Sequence, residues 1–499
     1  MTAMTTTSEV SRTSQQAPYP RRWYTLIVLC LALLVIVVDG TIVNVALPTF
    51  ARDLNAGTTG LQWIVDAYTL TFAALLLLAG AIADRYGRQH ALTAGLAVFG
   101  AGSLVAAFTG TTTELIAARV LMGVGAAFIM PATLSILMNV FTNPVERTKA
   151  IGLWSAVSGL GVAIGPVTGG WLLAHFSWGS IFLVNLPIVA IALVAGHWLV
   201  PASRAPLSAG RLDLLGALLS VAAFTALTYT IIEAPSNGWL SATTLGLAAA
   251  TAGLFALFIW REARAAHPML PLGLFRNPRF TGAAVTLTIL FFALSGAVFM
   301  STQIYQFVLG FSPLAAGVRA LPSAAALAVF SPLGANISKR AGVTVPVVLG
   351  LCMISAGLVF FATASAGSGY GHYVIAMITM SGGIGLAMAA ATTASMQVLP
   401  PALAGVGSAI NDSTRNMGSV LGVAVFGSIS ASVFASRMTA AHMSASSVGA
   451  AAIAARRTGD VSLLHTAASA FVSGADHAVI AGVAAGLAGA LLAAWAFRR

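Results

Sequence analysis

Charged residues are scarce in this sequence. Only 7% of its 499 residues are Asp, Glu, Lys or Arg, whereas soluble domains usually carry about 25%. A soluble fold of this length could not cover its surface with so few charges. Hydrophobic residues make up 58% of the chain, and the mean hydropathy is +0.92. Lipid must therefore be the solvent for most of the surface, which predicts an integral membrane protein.

Cysteines and the signatures of catalytic sites are also scarce. Cys30 and Cys352 lie in separate apolar runs, which excludes a disulfide framework or a cysteine-based metal site. The sequence has no Gly-x4-Gly-Lys-Ser/Thr loop for a nucleotide and no His, Asp and Glu cluster typical of a hydrolytic centre. We therefore expect a protein that is not an enzyme, with no bound metal, no cofactor and an ion gradient as its energy source.

Long apolar runs fill most of the chain. A helix that spans a bilayer needs roughly 20 mostly apolar residues. The sequence has fourteen such runs, which predicts an all-α membrane protein with a polar, disordered tail at 1–22. We number the predicted helices 1 to 14 in chain order: 23–48, 60–83, 91–109, 114–140, 148–173, 178–200, 212–233, 240–260, 280–308, 313–336, 343–363, 372–396, 404–434 and 478–497.

The basic residues predict the orientation of the chain. Of the 24 Lys and Arg residues, seventeen fall in the set of loops that includes the amino terminus and four in the opposite set. This asymmetry is the positive-inside pattern, which predicts that both termini are cytosolic. The formal net charge of +11 is thereby explained by topology, so we expect no nucleic-acid partner. The high Ala and Gly content, with only two Lys among the 24 basic residues, is typical of a GC-rich bacterial genome and so indicates the plasma membrane.

A few charged residues lie inside the predicted helices. Each costs about 2.5–3.5 kcal/mol in the centre of a membrane, so those that are retained usually face a cavity and act there. They are Asp39 in helix 1, Asp66 in helix 2, Arg119 in helix 4, Arg319 in helix 10, and Asp412 and Arg415 in helix 13. Because Asp412 and Arg415 stand three residues apart, we expect them to pair within their own helix.

Four motifs resemble those of the major facilitator superfamily. Gly80-Ala-Ile-Ala-Asp84-Arg85-Tyr-Gly87-Arg88, between helices 2 and 3, is similar to its loop signature. Arg119-Val-Leu-Met-Gly123-Val-Gly125 in helix 4 resembles its second motif. Gly161-Val-Ala-Ile-Gly165-Pro166-Val-Thr-Gly169-Gly170 in helix 5 resembles the motif of its exporters. The stretch from Asp39 to Pro48 in helix 1 resembles the signature of the fourteen-helix drug:proton antiporter branch.

The resemblance implies an architecture of two bundles. An amino-terminal six-helix bundle at 23–200 and a carboxy-terminal one at 280–499 would be related by a pseudo-twofold axis along the membrane normal. Segment 201–279 would hold the inserted helices 7 and 8 and a cytosolic linker, and 436–477 would be an external loop. The second copy of the loop signature, from Gly334 to Gly342, keeps Lys339 and Arg340 but lacks the acidic residue. We expect a monomer.

The loop between helices 2 and 3 is interpreted as a gate. Asp84 can accept hydrogen bonds from the amino-terminal amides of a facing helix, where the helix dipole favours an anion. Arg85 and Arg88 can bridge to the other bundle, and Gly87 permits the bend. These contacts would hold the cytosolic side shut while the outer side is open. The alternative is a loop that only fixes orientation.

Small residues keep one face of helix 5 free of bulky side chains. Gly161, Gly165, Gly169 and Gly170 permit a close approach to a neighbouring helix, and Pro166 permits a kink. Plain helix packing is a sufficient alternative, because the role in export is implied by the resemblance alone.

Asp39 is the predicted proton site. Burial disfavours an ionised carboxylate and a nearby cation favours it, so surroundings that alternate would make Asp39 bind and release a proton. Arg119 is the expected partner because it enters helix 4 at a similar depth; a permanent ion pair is the alternative. Asp66 is either a second proton site, a contact for a cationic substrate or a hydrated acid at a helix end. Tyr68, Gln303 and Met388 are candidate substrate-lining residues.

The leading functional hypothesis is a proton-coupled antiporter. It would export lipophilic drugs or antibiotics, cationic ones among them, by alternating access, with protons, a small-molecule substrate and the lipid bilayer as its partners. The alternative within transporters is the export of an endogenous metabolite, such as a self-made antibiotic, a siderophore or an amino acid. A membrane enzyme should show a catalytic cluster and a sensor a sizeable soluble domain, and the sequence has neither.

Overall fold

The structure is a computed structural model that describes residues 19–203, 213–265, 268, 270–399, 404–443, 445 and 447–498. Within these ranges the chain is almost entirely helical and contains no strand. Fourteen helices are long and apolar enough to cross a membrane, which confirms the predicted number and the all-α fold class. Their bounds are Arg22–Asp53, Thr58–Tyr86, Arg88–Ala107, Thr112–Val140, Pro144–His175, Ser180–Leu199, Leu214–Asn237, Ala242–Arg264, Pro278–Val308, Pro313–Ala341, Thr344–Phe361, Tyr370–Gln397, Ala404–Ala440 and Val461–Ala496.

Local sequence signals explain where several helices begin. Helix 4 starts at a capping box, in which the Thr111 hydroxyl accepts a hydrogen bond from the Glu114 amide and the Glu114 carboxylate accepts one from the Thr111 amide. Helix 5 starts with the Asn143 side chain accepting from two backbone amides and with a proline in the first turn. These groups satisfy amides that would otherwise lack a partner at a helix end.

Three of the spanning helices are interrupted. Helix 6 consists of Ser180–Leu183 and Asn185–Leu199, and helix 10 consists of Pro313–Arg319 and Leu321–Ala341. Helix 9 ends in a π-helical turn, Ile304–Val308. Such wide turns are frequent at functional sites, and this one places the Gln306 amide 2.8 Å from the carbonyl oxygen of Val45 in helix 1.

The predicted external loop at 436–477 is shorter in the structure. Helix 13 continues to Ala440 and helix 14 begins at Val461, so most of this segment is helical. Between them lies a short helix, Val448–Thr458. The prediction placed the start of helix 14 too late because Ser469, Ser473, Asp476 and His477 lower the hydropathy of its first half. Residues 1–18 of the predicted tail and residues 204–212, 266, 267 and 269 of the predicted linker lie outside the described residues.

The helices pack in two groups along the sequence. Helix 1 packs on helix 5 and helix 4 on helices 2 and 3, whereas helix 9 packs on helix 13 and helix 12 on helices 10 and 11. Helices 7 and 8 pack on each other, and helix 7 also contacts helices 2 and 13. The boundaries of the predicted bundles and their pseudo-twofold relation stay a prediction. We refer to helices 1–6 and 9–14 as the two halves.

The two halves are joined near one membrane face. We call the face with Arg22 and the turn at Gly87 the terminal face, and the opposite one the distal face. Hydrogen bonds between the halves run from Gln306 to Val45 and from Gln62 to helix 13, all in the distal part of the molecule. Among the described residues, none joins the halves in the terminal part. The structure is therefore closed at the distal face.

Candidate functional site

The centre of the amino-terminal half contains a buried ion pair. The guanidinium of Arg119 in helix 4 donates to the carboxylate of Asp39 in helix 1, with 2.5 Å between Nη1 and Oδ2. Both side chains are buried, at 1% and 0% exposure. Burying two charges is tolerated only where each is paired and hydrogen-bonded. The structure thus joins the two residues that the sequence analysis singled out as partners, and their role in proton coupling stays a prediction.

Two further contacts hold the Arg119 guanidinium. Its Nε donates to the carbonyl oxygen of Ile64 in helix 2 at 3.0 Å. Its Cζ lies 4.2 Å from the centre of the Tyr68 ring, which is a cation–π contact. Tyr68 is 3% exposed and donates to the carbonyl oxygen of Ile36 at 3.4 Å. Tyr68 therefore contacts the ion pair in this conformation, and substrate lining stays a prediction.

Asp39 has a second partner that the sequence analysis missed. Asn185 in helix 6 donates to Asp39 Oδ1 at 3.3 Å and to the hydroxyl of Ser103 in helix 3 at 3.1 Å. Ser103 in turn donates to the carbonyl oxygen of Phe182 at 2.8 Å. A lone Asn within the apolar stretch of helix 6 was the available signal, because a polar side chain buried there needs a hydrogen-bond partner. Four helices thus converge on the ion pair.

Glycines of the helix 4 motif allow these helices to approach. A Cβ atom at Gly123 would lie 2.6 Å from the carbonyl oxygen of Tyr68, and one at Gly125 would lie 2.6 Å from the amide nitrogen of Phe99. Both distances are too short for a side chain, so any larger residue would push helix 4 away from helices 2 and 3. The motif therefore supplies the charge of Arg119 and also the close packing that places it.

Asp66 lies in different surroundings from Asp39. Its side chain is 0% exposed, and neither carboxylate oxygen has a hydrogen-bond partner within the described part of the chain. The structure therefore does not show the hydrated acid at a helix end that was one of the alternatives. Roles in proton binding or in contact with a cationic substrate stay predictions.

The small residues of helix 5 face two different helices. A Cβ at Gly161 would meet Val37 at 2.9 Å, and one at Gly165 would overlap Thr41, both in helix 1. A Cβ at Gly169 would lie 2.5 Å from the side chain of Ile42, also in helix 1. On the adjacent face, Gly170 packs on the backbone of Pro313 and Leu314, and Pro166 packs on Gly317 of helix 10. The motif thus lets helix 5 contact its own half and the opposite half, which a simple helix pair would not require.

The predicted gate motif is engaged within its own half. Arg88 Nε donates to Asp84 Oδ1 at 2.8 Å, and the Ser135 hydroxyl lies 3.4 Å from the same oxygen. Arg85 is exposed, and Gly80 packs on Pro131 of helix 4. Gly87 has φ +117°, and Gly342 in the second copy of the loop has φ +80°. Both values favour glycine, so the two loops share the backbone bend although only the first contains an aspartate.

Other candidates are spread over the carboxy-terminal half. Gln303 is 1% exposed and donates to the carbonyl oxygen of Phe299, whereas Met388 is partly exposed. Arg415 lies 3.4 Å from Asp412, which confirms the expected pair, and also donates to Thr392 at 2.8 Å.

No group of three or more His, Cys, Asp or Glu side chains within the described ranges is placed to hold a metal ion.

Known proteins resemble the whole chain. The sequence profile of the Major Facilitator Superfamily matches residues 29–423. The multidrug resistance protein Stp of Mycobacterium tuberculosis is 36% identical over 81% of this chain and 75% of its own length. The multidrug efflux pump LfrA of Mycolicibacterium smegmatis is 34% identical over 99% of this chain and 100% of its own. The tetracenomycin C resistance and export protein of Streptomyces glaucescens is 33% identical over 85% of this chain and 79% of its own.

The fold is shared with solved transporter structures. A bacterial homologue of the human lysosomal transporter Spinster superposes with a TM-score of 0.68 at 17% identity, over 97% of this chain and 98% of its own. This likeness concerns the fold. With its fourteen apolar helices and the profile match, the chain is a multi-pass membrane protein of a transporter family. It belongs to the Major Facilitator Superfamily.

Proposed function

We propose that the protein is a proton-coupled antiporter that exports lipophilic drugs or antibiotics, cationic ones among them, across the plasma membrane by alternating access. The observation that carries the proposal is the buried pair of Asp39 and Arg119. A carboxylate held by one guanidinium at the junction of four helices is a group whose charge can be removed by a single proton. Loss of that charge leaves Arg119 without its anionic partner, which destabilises the arrangement that the pair supports.

The proposed cycle alternates the surroundings of Asp39. With the distal face open, Asp39 takes up a proton from that side, and Arg119 keeps its contacts to Ile64 and Tyr68. With the terminal face open, the proton leaves toward that side and the ion pair forms again. The structure, closed at the distal face with the pair intact, corresponds to the end of this second step. A substrate carried in the opposite direction enters while the terminal face is open.

We assign the terminal face to the cytosol. The support is the excess of basic residues in the loops on that side. Single cysteines at His90 and at Thr439, both exposed and on opposite faces, test the assignment in intact cells. A reagent that does not cross membranes should label only Thr439→Cys, and labelling of His90→Cys alone would reverse the direction of transport.

The relatives support the class of substrate. Their names specify multidrug resistance, multidrug efflux, and resistance to and export of tetracenomycin C. The names of two others specify resistance to puromycin and to methyl viologen. We therefore favour drugs and antibiotics over the alternative, an endogenous metabolite. A self-made antibiotic, a siderophore or an amino acid would use the same proton site, so a panel of substrates separates the two.

The available energy limits the number of protons. One inward proton releases about 2.3 kcal/mol per 100 mV and about 1.4 kcal/mol per pH unit. At 100 mV the potential alone therefore supports a concentration gradient of roughly fiftyfold for a neutral substrate. For a monovalent cation exchanged against one proton the charge movements cancel, so only the pH difference drives export. Export of a cation driven by the potential therefore needs a second proton, and Asp66 is the candidate to carry it.

Everted vesicles test the proposal. Ethidium, a lipophilic cation, should accumulate when a pH gradient is imposed, and a protonophore should abolish the accumulation. Collapse of the membrane potential alone, with valinomycin and potassium, should lower accumulation if two protons are used and leave it unchanged if one is used. Accumulation that persists with the protonophore would reject proton coupling and leave the superfamily membership untouched.

A further inference from the structure

The seam between helices 2 and 13 joins the two halves at the distal face. Gln62 Nε2 donates to the carbonyl oxygens of Val423 and Ala424, at 3.3 and 2.9 Å, and to the Ser428 hydroxyl at 3.3 Å. Gly427 lies so close to the Gln62 side chain that a Cβ there would be 2.5 Å from Nε2. We call this contact the distal seam. It consists of Gln62, Leu70 and Ala73 of helix 2 with Met417, Val420, Val423, Ala424, Gly427 and Ser428 of helix 13.

Asp66 lies within the distal seam. It is one helical turn after Gln62 and one turn before Leu70, so the three side chains share one face of helix 2. Gln62 binds helix 13, and Leu70 packs with Met417 and Val420 of the same helix. Asp66 is 0% exposed between them, and neither of its oxygens has a hydrogen-bond partner among the residues that the structure describes.

In the part of the chain that the structure describes, no charged group on the neighbouring helices forms an ion pair with Asp66. Arg119 of helix 4 is held by Asp39 of helix 1 and by the Ile64 carbonyl. The other charged or titratable groups on helices 1, 2, 3, 4, 7 and 13 are engaged elsewhere or lie toward the helix ends. They are Arg22, Cys30, Arg52, Asp53, Asp84, Arg85, Arg88, His90, Glu114, Glu233, Asp412, Arg415 and Arg437. The buried phenol of Tyr68 lies on Arg119, and the phenols of Tyr24 and Tyr86 lie toward the terminal face. The ring of Tyr229 in helix 7 packs on the ring of Trp63 in helix 2, at 6.2 Å between their centres.

Burial without a partner determines the charge of Asp66 in this conformation. An isolated ionised carboxylate removed from water is so unfavourable that the group binds a proton instead. The closed distal seam is therefore compatible with neutral Asp66 and incompatible with the ionised form. If the seam opens, water reaches Asp66 and the carboxylate can ionise.

We propose that Asp66 is a proton-operated latch of the distal seam. Protonation of its carboxylate permits helices 2 and 13 to pack, and loss of the proton drives them apart. Gln62 acts as a positioning residue, because its uncharged amide aligns the two helices without titrating. The inference deepens the proposed function, since it assigns the second proton to closure of the distal face. The proton balance is simple: one proton is bound from the distal side as the seam closes, and its release toward the terminal side is the step that opens the seam again.

A distance measurement without substrate tests the latch. Cys30 and Cys352 are replaced by serine, and spin labels are placed at Asp53 and Thr439, exposed residues at the distal ends of helices 1 and 13. In the parent protein the short distance should dominate at low pH. The ratio of long to short distances should rise with pH, by up to about tenfold per unit for one proton. Asp66→Asn should keep the short distance at every pH, whereas Asp66→Glu should restore a pH response.

Controls separate the latch from the site at Asp39 and from the proposed function. With the same spin labels, the distance in Asp39→Asn should still depend on pH. In Asp66→Asn the pH dependence should be absent. A response that survives in Asp66→Asn, or one that only Asp39→Asn removes, would overturn the latch. If Asp66→Asn does not fold, Asp66→Leu takes its place. A pH response of the distance that persists in Asp66→Leu would overturn the latch. Loss of the response in Asp66→Leu, with recovery in Asp66→Glu, would support the latch. Protonophore-insensitive export in vesicles would reject the proposed function while the distance response stands.

Discussion

Arg119 and Asp39 form a buried ion pair in which the guanidinium links helix 4 to helices 1 and 2. It donates to Asp39 in helix 1 and to the carbonyl oxygen of Ile64 in helix 2, and it stacks on the Tyr68 ring. A planar guanidinium can make these contacts together, whereas a lysine ammonium is a compact charge on a flexible chain. The site therefore depends on the shape of the cation as well as on its charge.

Arg119→Lys should reduce export although it keeps the positive charge. Loss of a hydrogen bond to a charged group costs about 1.5–3 kcal/mol, which corresponds to at least roughly tenfold in rate. Initial rates of ethidium export in vesicles with equal amounts of protein measure the change. Arg340→Lys, at an exposed position at the end of helix 10, is the matched control. Equal rates for Arg119→Lys and the parent would show that charge alone suffices.

Gly165→Ala and Gly159→Ala should have opposite consequences on the same helix. A Cβ at Gly165 overlaps Thr41 of helix 1, whereas a Cβ at Gly159 has no heavy atom within 4 Å. Overpacking typically costs about 1–3 kcal/mol, and alanine in an open helical position is favourable by about 0.5–1 kcal/mol over glycine. Thermal unfolding in detergent should therefore show a lower Tm for Gly165→Ala and an unchanged or higher Tm for Gly159→Ala. The same Tm for both variants would mean that helix 5 is not tightly packed on helix 1.

Asp84→Asn and Arg85→Ala should cripple export without loss of insertion. In the structure Asp84 is held by Arg88 and Ser135, and Arg85 is exposed, so neither residue joins the halves while the distal face is closed. We expect them to join the halves only when the terminal face closes, and their loss should remove that state. Export rates and the amount of protein in the membrane are measured together, with the exposed His90→Ala as control. Export at the parent rate in both variants would leave the loop with a role in orientation alone.

The sequence predicted the fold well because apolar length and charge asymmetry decide membrane topology directly. Fourteen helices were expected and fourteen are present within the described ranges. The error at helix 14 arose where Asp476 and neighbouring polar residues lie inside a helix that packing stabilises. Hydropathy averages these polar residues with Ala470, Phe471 and Ala475, which are buried in the structure. It cannot show that this part of the helix packs on other helices, because burial is a property of the assembled bundle.

The candidate site was predicted in part. Similar depth in the membrane pointed to Asp39 and Arg119, and the structure joins them. The contact of Asn185 with Asp39 could not be derived, because it depends on the rotation of helix 6 relative to helix 1. The seam around Asp66 was equally inaccessible, since it joins residues more than 350 positions apart in the chain.

Export by Asp39→Asn in everted vesicles tests the central claim most directly. The variant keeps the shape of the side chain and a neutral group toward Arg119, but it cannot bind and release a proton. With an imposed pH gradient, the parent should accumulate ethidium and the variant should not, while both should exchange labelled ethidium across the membrane when no gradient is present. Gradient-driven accumulation in Asp39→Asn at the parent rate would contradict proton coupling through Asp39.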